Sequence, residues 1–378
     1  MAEIAFTNAR LVLADEVIEG SLAVKGELID SFDHGAVRQA EDIEGDFLIP
    51  GLVELHTDHF ENHYRPRPAV TWNAMAALQS HDAQIAGAGI TTVFDAIRIG
   101  SDPEFGNIGD DVAAQVGAVE AAYGTDRLRA EHFVHLRCEL PAADCFEHFE
   151  AHAARPVVRL ASVMDHTPGI RQYTDVSHFI TYYKKKLRLS DAELDRFIKD
   201  RVAAHDANAD RNRARILAMG RDLGLSFASH DDATLAHVDE AVADGVAIAE
   251  FPTTLEAAKA AHGGGLAVLM GAPNVVRGGS HNGNIAAADL AREGVLDVLS
   301  SDYVPFALMY APFLLPRQVE TMDLPAAIRT VTANPAKAAG LTDRGEIAPG
   351  KRADLVRVRV MDGMPVVRAV YRQGRRVS

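Results

Sequence analysis

Hydrophobic and polar positions keep short β rhythms at both ends of the chain. In the first 49 residues the runs IAFTNARLVL, VIEGSLAVKG and ELIDSF are broken by Gly and Asp, which predicts short strands separated by turns. The pattern returns in 341–378, where ADLVRVRV and VVRAVYRQGRRV flank Asp362 and Gly363. Chain ends of a domain often lie close together, so these two β-rich ends are expected to form one small β-sandwich domain. Between them, 50–340 alternates strand-like apolar runs with Ala-rich stretches of helical period. The runs are FLIPGLVELHTD, GITTVFDA, EHFVHLRCEL, VVRLASVMDH, LSFASHDD, VAIAEF, LAVLMGAPN and LDVLSSDY, enough strands for a (β/α)8 TIM-like barrel. The stretch 175–220 exceeds a usual crossover, which predicts an extra helix or a lid over the active face.

In such a barrel, side chains alternate between the interior and the helix layer, and chemistry gathers at strand carboxyl ends. Period-two parity puts Glu54, His56 and Asp58 on one face of LVELHTD. It groups His135, Arg137 and Glu139 against the apolar Val134, Leu136 and Cys138, and it aligns Ser226, Ala228 and His230, then Val298, Ser300 and Asp302. On VVRLASVMDH either Asp165 or His166 could face inward. A single His or Asp at a strand end is more often a helix cap. His56, Asp58, Glu139, His230 and Asp302 together are a different matter, because converging charges repel without a cation between them, and these are ligand types for divalent ions.

Composition narrows the function class. The 378 residues are 48% hydrophobic and 24% charged, which fits a globular chain with a large core. Two cysteines, Cys138 and Cys145, make neither a disulfide framework nor a CxxC or zinc-ribbon motif, which is the pattern of a reducing cytoplasm. The amino terminus lacks the features of a secretory signal, and no apolar run reaches spanning length. A formal charge of -15 argues against a general nucleic-acid binder and leaves small-molecule substrates.

The segments PGLVELHTD, GITTVFDA, SSDY and GEIAPGKRADLV resemble the amidohydrolase superfamily. More narrowly, HTDHFENH, HLRCEL, MDHTPG, ASHDD, AEFPTT, MGAPNVVRGGSHNGN and LSSDYVP, in chain order from about Pro50 to Asp354, are similar to the PhnM family. Those enzymes are α-D-ribose 1-methylphosphonate 5-triphosphate diphosphatases of phosphonate catabolism. The resemblance implies a cytoplasmic hydrolase acting on a phosphoric anhydride, with one or two divalent ions (zinc, manganese or magnesium), and it allows a homodimer. It implies metal ligation by His56, Asp58, Glu139, His166, His230 and Asp302, with Asp302 orienting and deprotonating water. Asp58 stands where the superfamily's HxH motif has its second His, and no lysine falls on a predicted barrel strand, so Glu139 is the substitute bridge.

Phosphate charge needs donors. The glycine-rich loop with Arg277, Gly278, Gly279, Ser280 and His281 lets backbone N–H groups approach an anion, and His281 is a second catalytic candidate. Arg65, Arg67, Arg171 and Lys184 are further triphosphate contacts, although a KKK run is usually a solvated helix face. Two other readings use the same scaffold: a cyclic-amide hydrolase or deaminase, and a metal-free assembly subunit.

Overall fold

The computed structural model describes residues 3–37, 39–68, 70–101, 108–171, 190–280 and 283–378. The chain folds into two compact units, one of 1–95, 121–133 and 270–378, the other of 96–120 and 134–269.

The first unit contains the sheet built from both chain ends. Five strands come early: β1 (Glu3–Val12), β2 (Val17–Lys25), β3 (Leu28–His34), β4 (Glu41–Asp42) and β5 (Phe47–Pro50). Eight more make the central sheet: β6 (Leu52–Thr57), β7 (Ile90–Ile99), β8 (Glu131–Glu139), β9 (Val158–Met164), β10 (Ser226–His230), β11 (Ile248–Glu250), β12 (Ala267–Gly271) and β13 (Val298–Ser300). The last three, β14 (Leu355–Met361), β15 (Met364–Arg372) and β16 (Arg375–Arg376), return to the terminal sheet. Its order is β16-β15-β14-β5-β1-β2-β3, with β4 on β1. The two chain ends meet where β14 runs antiparallel to β5, Leu355 opposite Pro50. Phe6, Leu11, Leu22, Ile29, Leu48, Leu355 and Tyr371 are buried in its core, and the Phe6 and Tyr371 rings meet edge to face at 5.1 Å, a favoured aromatic geometry.

The run FLIPGLVELHTD, read from sequence as one strand, divides at Gly51. Its first half, β5, pairs with β1 and β14, and its second half, β6, pairs in parallel with β7. Only glycine fits at the crossing, because a Cβ there would lie 2.2 Å from Thr91 Oγ1. Sequence pattern could not mark this switch, since the apolar run continues across it from Phe47 to Val53.

The central sheet follows the predicted rhythm, with β6 to β13 hydrogen-bonded in chain order. Within the second unit, β8 pairs with β9, β9 with β10, β10 with β11 and β11 with β12, all parallel. The long insertion contributes a helix of 32 residues, Asp191–Asp222, started by a reciprocal capping box between Ser190 and Glu193 that satisfies its first free N–H groups. Asn212 on this helix donates to the carbonyls of Leu140 and Ala142 just beyond β8. The insertion is therefore helical in its described part, while 172–189, including Lys184, lie outside the described residues. No helix among the described residues is long and apolar enough to cross a membrane.

Candidate metal centre and active site

In the first unit, the candidate side chains come from the ends of β6 and β13. Glu54, His56 and Thr57 are buried on β6. Asp58 occupies the cap position of the helix His59–Tyr64, yet its side chain makes no capping hydrogen bond. Ordinary helix capping therefore does not account for it. Just past β13, Asp302 adopts a left-handed backbone with φ 54, which Asp tolerates better than most residues. Its N–H donates to the His56 carbonyl at 3.2 Å, and its own carbonyl accepts the Thr57 hydroxyl at 2.9 Å. Beneath them the Glu54 carboxylate accepts the N–H of His56 at 2.6 Å and of Ser301 at 2.5 Å. Burial pushes the Glu54 carboxyl up to about 7, against the pull of those donors.

In the second unit, β8, β9, β10 and β11 bring forward Glu139, His166, His230, Asp231 and Glu250. The open choice between Asp165 and His166 resolves here. His166 turns to Glu139, with Nδ1 2.6 Å from Oε2 and its backbone N–H 3.0 Å from Oε1. Asp165 instead meets His205 of the long helix at 2.6 Å. Arg98, from the end of β7, lies 3.1 Å from the same Glu139 oxygen that faces His166. Burial opposes ionisation of Glu139, but the neighbouring His166 and the Arg98 guanidinium outweigh it and hold the carboxyl well below its usual range. The contacts of Glu139 suit a group that orients His166, as carboxylates behind ligating histidines commonly do.

His166 and His230 stand ring to ring at 5.5 Å, and Nε2 of each faces Asp231 Oδ2, at 3.9 Å and 3.5 Å respectively. That buried Oδ2 has no hydrogen-bond partner, and one donor atom from each of the three residues lies within 4.8 Å of the others. Burial lowers His230 to about 3 and raises Asp231 to about 6. A neutral imidazole is the ligand form of His. A bare carboxylate oxygen facing two imidazole nitrogens, with no proton shared between them, fits a divalent cation.

A second His and Asp cluster provides the contrast. His81, Asp95 and His132, in the first unit, also have donors within 4.8 Å of one another. There Asp95 takes His81 Nε2 on one oxygen and His132 Nδ1 on the other, both at 2.8 Å. Its oxygens are satisfied by imidazole protons, so this cluster reads as an internal ion network, and the Asp231 group is the better metal candidate of the two.

A scan against known families matches residues 47–377 to the amidohydrolase family. The chain belongs to that family. It is 45% identical over 373 residues to the α-D-ribose 1-methylphosphonate 5-triphosphate diphosphatase of Escherichia coli (strain K12), covering 98% of this chain and 99% of that protein. It is 25% identical over 382 residues to an adenine deaminase of Nitratidesulfovibrio vulgaris (strain DP4), covering 98% of this chain and 57% of the deaminase. Among solved structures, N-isopropylammelide isopropylaminohydrolase from Burkholderia multivorans ATCC 17616 superposes with a TM-score of 0.66 at 17% identity, covering 100% of this chain and 98% of that one. The expected amidohydrolase architecture, a parallel-stranded barrel with a small β unit from both chain ends, is thereby established, and that unit is one sheet where a sandwich was expected.

The remaining sequence candidates fall into three groups. Arg65 is half-buried, Arg67 and Arg277 are exposed, and Gly278 and Gly279 have φ 80 and 151, so their loop conformation needs glycine. Ser280 follows them half-buried, whereas His281 lies outside the described residues. Arg171 needs correction as a phosphate contact. It is buried and ion-paired with Asp232 and Glu240, so its charge is already used inside the second unit. Arg171→Ala is expected to cost up to about 3 kcal/mol of stability by stranding Asp232, seen as a lower urea midpoint, with the substrate KM unchanged. Sequence parity misses two residues. It passes over Asp231, which directly follows His230, but φ 55 at Asp231 ends the strand alternation and lets consecutive side chains converge. Arg98 carries only the weaker signal of a cation at a strand's carboxyl end.

Proposed function

We propose that this amidohydrolase hydrolyses α-D-ribose 1-methylphosphonate 5-triphosphate to the 5-phosphate and pyrophosphate, in the cytoplasm and as a step of phosphonate catabolism. The observation that carries the reading is 45% identity over nearly the full length of the named diphosphatase. The orphaned Asp231 oxygen beside His166 and His230 supports metal dependence.

His166, His230 and Asp231 would hold a divalent ion, with Glu139 fixing the His166 ring. By the resemblance to the PhnM family, His56, Asp58 and Asp302 would also serve as ligands. Such an ion supplies Lewis acidity and lowers the pKa of water. Asp302 accepts the proton of the attacking water. A new O–P bond forms at the α-phosphorus while the α-to-β bridging P–O bond breaks and pyrophosphate departs. Arg277, Ser280, Arg65, Arg67, Lys184 and His281 bind phosphate oxygens, and Arg98 adds positive charge beside Glu139; the N–H groups of Gly278 and Gly279 instead close the preceding helix on the carbonyls of Val275 and Asn274. Zinc, manganese and magnesium all suit this oxygen-rich donor set.

The test is pyrophosphate release by metal-reconstituted protein offered the ribosyl triphosphate, ATP, adenine and a cyclic amide, beside chelator-stripped protein. Release from the ribosyl triphosphate, lost on stripping and restored by metal, is the expected result. Turnover of adenine or the cyclic amide alone would overturn the assignment and leave only the family.

A further inference from the structure

The cluster of hydrogen bonds around Glu54 has a geometry that a plain barrel interior does not need. Three links join the end of β6 to the segment after β13. Glu54 accepts from Ser301 N at 2.5 Å, Asp302 N donates to His56 O at 3.2 Å, and Thr57 Oγ1 donates to Asp302 O at 2.9 Å. Glu54 also accepts the N–H of His56 at 2.6 Å. One fully buried carboxylate thus holds the backbone of a proposed metal ligand and of the residue preceding the proposed base. Bonds from N–H to a carboxylate are short and stronger than neutral ones. Asp302 is left-handed, with φ 54, a conformation that persists in a non-glycine residue only where its surroundings enforce it.

We propose that Glu54 is a positioning residue of the hydrolytic site. Its carboxylate fixes the turn that aims Asp302 and sets the backbone that presents His56. Glu54 touches neither substrate nor ion in this role. The inference rests on the proposed roles of His56 and Asp302 and extends them to the carboxylate beneath both.

Glu54→Gln tests it, because the amide keeps the shape but turns an N–H donor toward an N–H donor. In the full chain, affinity for Mn2+ or Zn2+, measured by competition with a chromogenic chelator, is expected to fall about tenfold, as for other groups that orient ligands. The kcat for pyrophosphate release should fall about tenfold, with KM within about twofold. Glu54→Asp, which keeps a carboxylate, should recover part of the metal affinity. Wild-type affinity and kcat in Glu54→Gln would overturn the proposal. So would a variant that loses only thermal stability while its folded fraction binds metal normally. The affinity arm uses no substrate, so it still reads Glu54 if the wild-type protein releases no pyrophosphate, the result that would sink the functional assignment instead.

Discussion

Replacing Asp302 by Asn is expected to lower kcat for pyrophosphate release by about 10²- to 10⁴-fold, the usual range for removal of a positioned general base. Asn is the informative substitution because it tolerates the left-handed backbone at this position. The N–H donated to the His56 carbonyl and the carbonyl that accepts the Thr57 hydroxyl belong to the main chain, so both survive the change. The fold and the thermal midpoint should therefore hold. KM should move little, since the lost function acts on the water and not on the triphosphate. An Asn variant with near wild-type kcat would assign proton removal to another group.

The sequence made the architecture legible because its rhythm is simple. Apolar runs at barrel spacing, flanked by two β-rich ends, have few compact solutions, and the strand order found is the chain order. His56, Asp58, Glu139, His230 and Asp302 stand out as candidates for the same reason, as polar residues closing otherwise apolar strands, while the pattern leaves His166 open against Asp165. What pattern could not supply was backbone geometry at the strand ends. Asp231 and Asp302 both have positive φ, and at such points the two-residue period stops predicting direction. Parity therefore passes over Asp231, although its carboxylate converges with His230. Nor could sequence show which charges are already neutralised. Arg171 looks like a phosphate contact until Asp232 and Glu240 are seen around it, and pattern gives no sign that Arg98 and His166 share one oxygen of Glu139.

The other large expected effect lies in the second His and Asp cluster, in the stability of the protein and its dependence on pH. Asp95 is fully buried between His81 and His132. Asp82 faces the far nitrogen of His132 at 3.4 Å, accepts the backbone N–H groups of Arg129 and Ala130, and pairs with the half-exposed Arg129 guanidinium at 3.2 Å. Burial disfavours charge on both central groups, but their mutual attraction wins: Asp95 falls to about 2 and His132 rises to about 9. The signs of the two linkages are opposite. A lowered carboxyl stabilises the fold above its unfolded pKa, so the Asp95 contribution is lost as pH falls from about 4 through 2. A raised imidazole stabilises it below its unfolded pKa, so the His132 contribution is lost as pH rises from about 6.5 through 9. Asp95→Asn strands a buried cation and should lower stability at pH 7 by about 3 kcal/mol, read as a drop in urea midpoint at unchanged slope. The same variant should flatten the acid limb of stability against pH, and His132→Gln the alkaline limb. If the network carried no charge, both variants would keep the wild-type pH profile. If it held a divalent ion instead, His132→Gln would release one equivalent of metal per chain, and elemental analysis of the two proteins would show it.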